Sequence, residues 1–322
     1  MRVFVTGGTG FIGSHAVRLL AARSHEQCCL VRNPDRAQAA REVGAEIVVG
    51  DLTDKPGLVD GMRGCDAVAN IANLYDFWVP DRRAYAAVNI EGTRNVLEAA
   101  VETGATKVVH VSSIGVWGNA SWPVTESTPL GPSCASLYLR SKRAGDAVAW
   151  QLADTRQLPL VMVYPGGVLG PGDPKASGRY VRNLVRGAMP AQVLTGHMFP
   201  WVHVRDVAEG IVRALELDDN IGERYILVAE NMTFGDLNRL VAEISGVKPP
   251  RLSLPDWMAM LGAYCATGLA SVIKKPPMLD MAVDQMALMK QGCQADGSKA
   301  SRELGLEYTP IRTALEEAIA SL

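Results

Sequence analysis

Residues 3–13 read Val-Phe-Val-Thr-Gly-Gly-Thr-Gly-Phe-Ile-Gly, and Ser14–Ala22 behind them carry a helical pattern. A short β-branched and aromatic run that breaks into closely spaced glycines and resumes as a helix predicts a strand–turn–helix unit. In that context each glycine has its own task. Gly7 or Gly8 permits the tight turn, Gly10 lets a pyrophosphate approach the backbone, and Gly13 lets the helix pack close on the strand. The amides of Phe11 and Ile12 at the helix start, reinforced by the helix dipole, would hold that anion. The stretch predicts a dinucleotide-binding α/β fold, with Gly7, Gly10, Phe11, Ile12 and Gly13 against the cofactor.

The chain on either side continues the same alternation. Strands are expected at Val3–Thr6, Cys28–Val31, Glu46–Val49, Ala67–Asn70, Lys107–Ser112 and Leu160–Tyr164, with helical stretches such as Arg83–Thr103 and Leu137–Thr155 between them. Right-handed crossovers then give a doubly wound, parallel-sheet Rossmann domain over residues 1–165, with its ligand at the carboxyl ends of the strands. Pro165-Gly166-Gly167 and Gly170-Pro171-Gly172-Asp173-Pro174 break regular structure and mark the crossing into a smaller, mostly helical C-terminal substrate lobe. That lobe is assigned residues 166–200 and 230–322, while 201–229 is expected to return to the main sheet.

Composition removes several function classes. Across 322 residues the formal charge is −2, which gives no general attraction for nucleic acid or anionic lipid. The six cysteines form no Cys-x-x-Cys pair, and Cys28 and Cys29 sit inside an apolar run, so they read as small buried hydrophobes in a reducing compartment. With a strand starting at Arg2, no secretory leader is expected and the protein is placed in the cytoplasm. No histidines stand at metal-ligand spacing, and no metal site is expected.

The second strand ends in Leu30-Val31-Arg32-Asn33-Pro34, with Arg36 close behind. A carboxylate about 20 residues past the glycines would bind the ribose hydroxyls of NAD; a guanidinium there suits a 2′-phosphate through charge-assisted hydrogen bonds. Arg32 and Arg36 thus favour NADP(H) over NAD(H). Asp51 and Leu52, just after the third strand, are placed to border the adenine.

Hydride transfer to a carbonyl also needs a proton donor and a group that polarises the oxygen. Ser113 follows the strand ending at Ser112, so its hydroxyl should emerge at the carboxyl edge of the sheet. Tyr138 and Lys142 are four apart on a predicted helix and share a face. The ammonium is expected to lower the phenol pKa and to reach the nicotinamide ribose.

At this point the chain resembles the extended short-chain dehydrogenase/reductases. The resemblance rests on Thr-Gly-Gly-Thr-Gly-Phe-Ile-Gly (6–13), Gly-Asp-Leu (50–52), Val-Asn-Ile-Glu-Gly-Thr (88–93), Val-Ser-Ser-Ile-Gly-Val-Trp-Gly (111–118), Tyr138 with Lys142, and Trp-Val-His-Val-Arg-Asp-Val-Ala (201–208). It implies NAD(P)-dependent chemistry on an alcohol or carbonyl, with Ser113, Tyr138 and Lys142 as catalytic triad and Asn89 in support. It also implies Ala72, Tyr164 and Val168 as cofactor neighbours, and a homodimer through the helices of Asn89 and Tyr138. Leu-Val-Arg-Asn-Pro (30–34) and Val-Tyr-Pro-Gly-Gly-Val-Leu-Gly-Pro-Gly-Asp (163–173) look like the dihydroflavonol reductase and 3β-hydroxysteroid dehydrogenase side. Sugar-nucleotide epimerases usually carry an Arg where Tyr164 stands. The expected activity is NADP(H)-dependent reduction of an apolar ketone or aldehyde, or the reverse. A sugar-nucleotide epimerase or dehydratase with tightly held NAD and a non-catalytic NADP(H) binder are the alternatives.

Substrate contacts are expected from Tyr75, Phe77 and Trp78 in the loop after the fourth strand, and from Trp117 and Gly166. His203 is read as a structural residue at a helix entry. Residues 257–273 carry no charge and are followed by Lys274-Lys275. A buried or pocket-lining helix is expected there, with contact to a membrane surface as the alternative.

Overall fold

Strands β1 (Arg2–Thr6), β2 (Glu26–Val31), β3 (Glu46–Val49), β4 (Ala67–Asn70), β5 (Lys107–Val111) and β6 (Leu160–Pro165) run parallel. β7 (Gly167–Leu169) and β8 (Met198–His203) leave this sheet, and β9 (Arg224–Leu227) rejoins it beside β6. The order is β3-β2-β1-β4-β5-β6-β9, seven strands that wind outward in both directions from β1. The winding reverses between β1 and β4, where Thr6 lies opposite Asn70, and a ligand crevice belongs at that point. The computed structural model describes residues 1–278 and 281–322.

Strand alternation sorts the core into two layers. Phe4, Val68, Val108, Leu160 and Met162 face one side, and Val3, Val5, Ala67, Val109 and Val161 face the other. The first layer is covered by α3 (Lys55–Met62), α5 (Thr93–Thr103) and α6 (Leu137–Arg156); the second by α1 (Phe11–Ala22) and α8 (Val204–Glu216). The remaining helices of this half are α2 (Gln38–Glu42) and α4 (Arg83–Ala86), with α7 (Ala176–Val185) after the crossing. Both faces buried explains why the strands read as nearly unbroken apolar runs.

Three expectations need correction, the first two in the sheet half. The single helix over Arg83–Thr103 is interrupted by a wider turn across Ala87–Gly92. Here α6 approaches backbone to backbone: a Cβ added at Gly145 would stand 2.3 Å from the Asn89 carbonyl oxygen. The segment 201–229 only partly returns to the main sheet. α8 packs on α1 and β9 forms the sheet edge, but β8 pairs with β7 and, antiparallel, with β10 (Glu230–Thr233). The substrate side therefore has a three-stranded sheet of its own.

Beyond β10 follow α9 (Phe234–Ser245), α10 (Asp256–Ile273), α11 (Val283–Gln291), α12 (Ser298–Glu303) and α13 (Ile311–Ala320). α9 starts from a capping box in which the Thr233 hydroxyl accepts from the Asp236 N–H and Asp236 returns the bond. Trp201, Phe234, Leu237, Ala259, Ala263, Met286 and Leu315 make the core of this half. The expectation of a buried or pocket-lining helix over 257–273 fails: α10 buries only Ala259, Ala263, Thr267 and Ala270.

Candidate active site

The carboxyl ends of the strands open into a cleft of about 420 Å³, inside the range of small-molecule sites. One end is made of backbone. Gly7 has φ +74°, and a Cβ there would meet the Ala72 nitrogen at 2.7 Å. A Cβ at Gly13 would meet the Gly7 carbonyl oxygen at 2.1 Å, so α1 can seat on the turn only with glycine at that position. The Thr6 hydroxyl donates to Asn70 Oδ1 at 2.7 Å and accepts the Ala72 N–H at 3.1 Å, which ties the ends of β1 and β4 together.

α1 begins at Gly10 with no side-chain cap and no acid in its first turn. Its terminal N–H groups and positive dipole end meet the cleft, an arrangement that suits a pyrophosphate. Arg32, Arg36, Asp51 and Leu52 line the same end, and Ala72 and Val168 line the middle. Burial pushes the Asp51 carboxyl upward, but bonds from the Thr53 N–H and hydroxyl, together with the Arg32 charge, outweigh it and hold the group below its ordinary range. The glycine cradle, the uncapped helix and the two guanidinium groups fit a dinucleotide.

Ser113 and Tyr138 face this cleft together. Ser113 follows β5 in extended geometry (φ −157°) and starts a short turn over Ile114–Trp117, its Oγ accepting the Gly115 N–H at 3.3 Å. Tyr138 lies in the first turn of α6, which Ser136 caps by accepting the Leu139 N–H at 3.1 Å. Its ring meets the edges of Tyr75 at 5.2 Å and Phe77 at 6.0 Å.

The expected effect of Lys142 on Tyr138 is not found. Lys142 is fully buried and donates to the Val111 carbonyl at 2.8 Å. Burial, then the neighbouring Tyr75, Asp146 and Tyr85, drive the phenol pKa up. Burial likewise pushes Lys142 below its ordinary range, and Asp146 pulls it partly back.

Asp146, one further turn along α6, is a residue that the sequence reading missed. It accepts from the Ser112 hydroxyl at 2.7 Å, and burial pushes its carboxyl up to about 6 against the pull of Lys142. Its Oδ1 stands 3.7 Å from His110 Nε2, and neither atom has a hydrogen-bond partner. His110 is held neutral by burial and by Lys142, and its Nδ1 meets Asn70 Nδ2 at 2.9 Å. The four-residue step from Lys142 repeats the step from Tyr138 and was the available signal.

The other expected residues divide. Tyr75, Phe77 and Gly166 line the cleft. Trp78 packs partly buried beside the Tyr138 cluster, outside the cleft lining. Asn89 accepts the Leu74 N–H at 2.7 Å and donates to Ser141 Oγ at 2.9 Å, so it ties the 73–78 loop to α6 and does not line the cleft. Trp117 is a correction: it is 1% exposed, its Nε1 donates to the Thr128 carbonyl at 2.8 Å, and its ring meets Tyr164 at 4.7 Å. Tyr164 is another, since strand alternation turns its side chain into the layer under α5 and α6 and away from the cleft. Val163, its neighbour, faces α8 instead.

The far end of the cleft comes from Asp173, Tyr180, Phe199, Phe234, Leu288 and Met289, residues of the expected substrate lobe that the sequence reading did not single out as contacts. His203 caps α8, its Nδ1 accepting the Arg205 N–H at 2.9 Å, which is a structural task. No group of side chains among the described residues could hold a metal ion.

Residues 3–228 match the family model described as "NAD dependent epimerase/dehydratase family". Two curated proteins resemble the chain along nearly all of its length. A putative dihydroflavonol 4-reductase of Synechocystis is 32% identical over 98% of this chain and 93% of its own. Sterol demethylase protein B of Methylococcus capsulatus is 30% identical over 99% and 98%. Among solved structures, the crystal structure of gox2253 superposes with a TM-score of 0.85 at 36% identity, covering 99% of this chain and 97% of that one.

Proposed function

The chain belongs to the NAD dependent epimerase/dehydratase family and is an NAD(P)-dependent oxidoreductase, and on that premise we propose that it reduces an apolar ketone or aldehyde with NADPH, or oxidises the corresponding alcohol. The observation that carries this reading is one cleft in which Ser113 and Tyr138 stand between an anion-ready glycine turn and a wall of Tyr180, Phe199, Phe234, Leu288 and Met289. Such a wall offers apolar contact to a substrate, while Asp173, Lys175, Ser177 and Gln285 in the same lining supply its polar contacts. Arg32 and Arg36 at the opposite end support the preference for a 2′-phosphate.

In this reading the Ser113 hydroxyl donates to the carbonyl oxygen and polarises it. A nicotinamide dinucleotide held at the Gly7–Gly13 turn would supply the hydride, with its two electrons, for the carbonyl carbon. Tyr138 gives its phenolic proton to the oxygen as the alkoxide forms. Lys142 fixes the Val111 carbonyl at the foot of the Ser112–Ser113 segment, and Asn89 positions the loop that carries Tyr75 and Phe77. Six unpaired cysteines support a reducing, cytoplasmic setting. A homodimer through the α4–α5 and α6 face accompanies the proposal.

Replacing Tyr138 with Phe tests the assignment. Turnover of an accepted carbonyl should fall by about 10²- to 10⁴-fold, while NADPH affinity measured by fluorescence stays close to wild type. Unchanged turnover would remove Tyr138 from the proton-donating role.

A further inference from the structure

α10 is built inside out. Its small residues Ala259, Ala263, Thr267 and Ala270 face the protein, and its large apolar side chains face away. Trp257, Leu261, Tyr264, Leu269 and Val272 are exposed at 64%, 56%, 62%, 62% and 79%. Their spacings of four, three, five and three residues keep them on one broad side of the helix, a stripe about 27 Å long. No charged side chain falls between Trp257 and Ile273. A patch of this kind on a soluble chain marks a contact surface.

The helix meets the length and composition of a membrane span, but its anchoring keeps it flat on the molecule. Asp256 at its start meets His197 Nε2 at 2.8 Å, and Thr267 Oγ1 accepts the Val283 N–H at 2.9 Å. Its inner face packs on α11, whose Leu288 and Met289 line the cleft.

The chemistry of the rim selects the occupant. Lys274 and Lys275 follow the stripe directly and are exposed, as is Arg82; Arg83 beside it is paired with Asp81 at 3.0 Å, the carboxyl that also feels Lys274. On the stripe itself the polar side-chain groups are the Trp257 indole N–H, the Tyr264 hydroxyl, the Cys265 thiol and the Ser271 hydroxyl, the last bonded back to the Thr267 carbonyl at 2.8 Å. A protein partner requires a rim of paired polar groups, whereas this stripe ends in two adjacent exposed lysines. An anionic lipid surface requires an apolar stripe with Trp or Tyr and flanking cations. We propose that α10 docks this protein on the surface of an anionic phospholipid bilayer, the stripe in the acyl boundary and Lys274 and Lys275 among the headgroups. The cleft then sits one helix behind the docked face.

Sedimentation of the full chain with vesicles of phosphatidylcholine, alone or mixed with phosphatidylglycerol, tests this without any substrate, so it succeeds or fails independently of the reductase reading. The wild type should bind the anionic vesicles and release them as salt rises. A Leu261→Glu/Leu269→Glu variant and a Lys274→Glu/Lys275→Glu variant should each bind at least about tenfold more weakly. All four positions are exposed, and unchanged melting temperatures would show that both variants are folded. Absence of wild-type binding, or equal binding by wild type and both folded variants, would overturn the proposal. So would self-association that the Leu261→Glu/Leu269→Glu variant abolishes in the absence of vesicle binding.

Discussion

At one end of the cleft the lining is built around the main chain of a single strand–turn–helix, with Arg32, Arg36, Asp51 and Leu52 beside it; at the other it is side chains gathered from segments scattered between Tyr75 and Met289. The first end is specified by what is missing, since Gly7 and Gly13 leave space that any Cβ would fill. The second is specified by bulk: Phe199 meets Trp201 at 5.1 Å and Phe234 at 5.6 Å, and these rings fix a shape. At that end Gly7 and Gly13 have no room for a side chain. An end built of side chains can be reshaped while the reaction chemistry is kept.

Single substitutions can break that contrast, and the largest effect is expected at the glycine turn. Gly13→Ala puts a methyl group 2.1 Å from the Gly7 oxygen, so α1 must shift. The expected cost is about 3 kcal/mol or more in unfolding free energy, with cofactor affinity lowered by about 100-fold, read by thermal unfolding and by fluorescence titration. A variant with wild-type affinity would show that the turn has slack. Phe199→Ala at the other end should act more gently. It removes an apolar wall from the substrate and should raise KM for an apolar carbonyl by about tenfold with NADPH affinity unchanged. A matching loss of NADPH affinity would mean that the two ends are not independent.

The same contrast explains what could be read in the sequence. The glycine turn was legible because β1, Gly7–Gly13 and α1 are consecutive and each glycine answers a local steric demand. The strands from β1 to β6 were legible through alternation buried on both faces. β8 was not, because its partners are β7 and β10 and nothing within Met198–His203 distinguishes that pairing from a place in the main sheet. Trp117 and Tyr164 stand in motifs beside the cleft, yet their side chains turn into the core, where each becomes the other's packing partner. Linear proximity to Ser113 carried no information on direction.

The Tyr138–Lys142 pair shows a subtler limit. Helical spacing placed both residues on one side of α6, but the ammonium found the Val111 carbonyl, and Asp146 stands where its charge reaches both of them. Which neighbour a buried lysine chooses depends on carbonyls that another strand brings, and a spacing rule does not include them. The far wall, with Phe199, Phe234 and Leu288, likewise comes together only after β8, α9 and α11 have packed.

The central claim is that this cleft joins NADPH to an apolar carbonyl. Wild-type protein offered a panel of aromatic, steroid and aliphatic ketones and aldehydes, with NADPH or NADH in parallel and the loss of nicotinamide absorbance as readout, tests it most directly. The account predicts consumption of NADPH in preference to NADH, strongest with the apolar members. No turnover across the panel together with NAD that co-purifies with the protein would contradict the reductase assignment, and a preference for NADH would contradict the role given to Arg32.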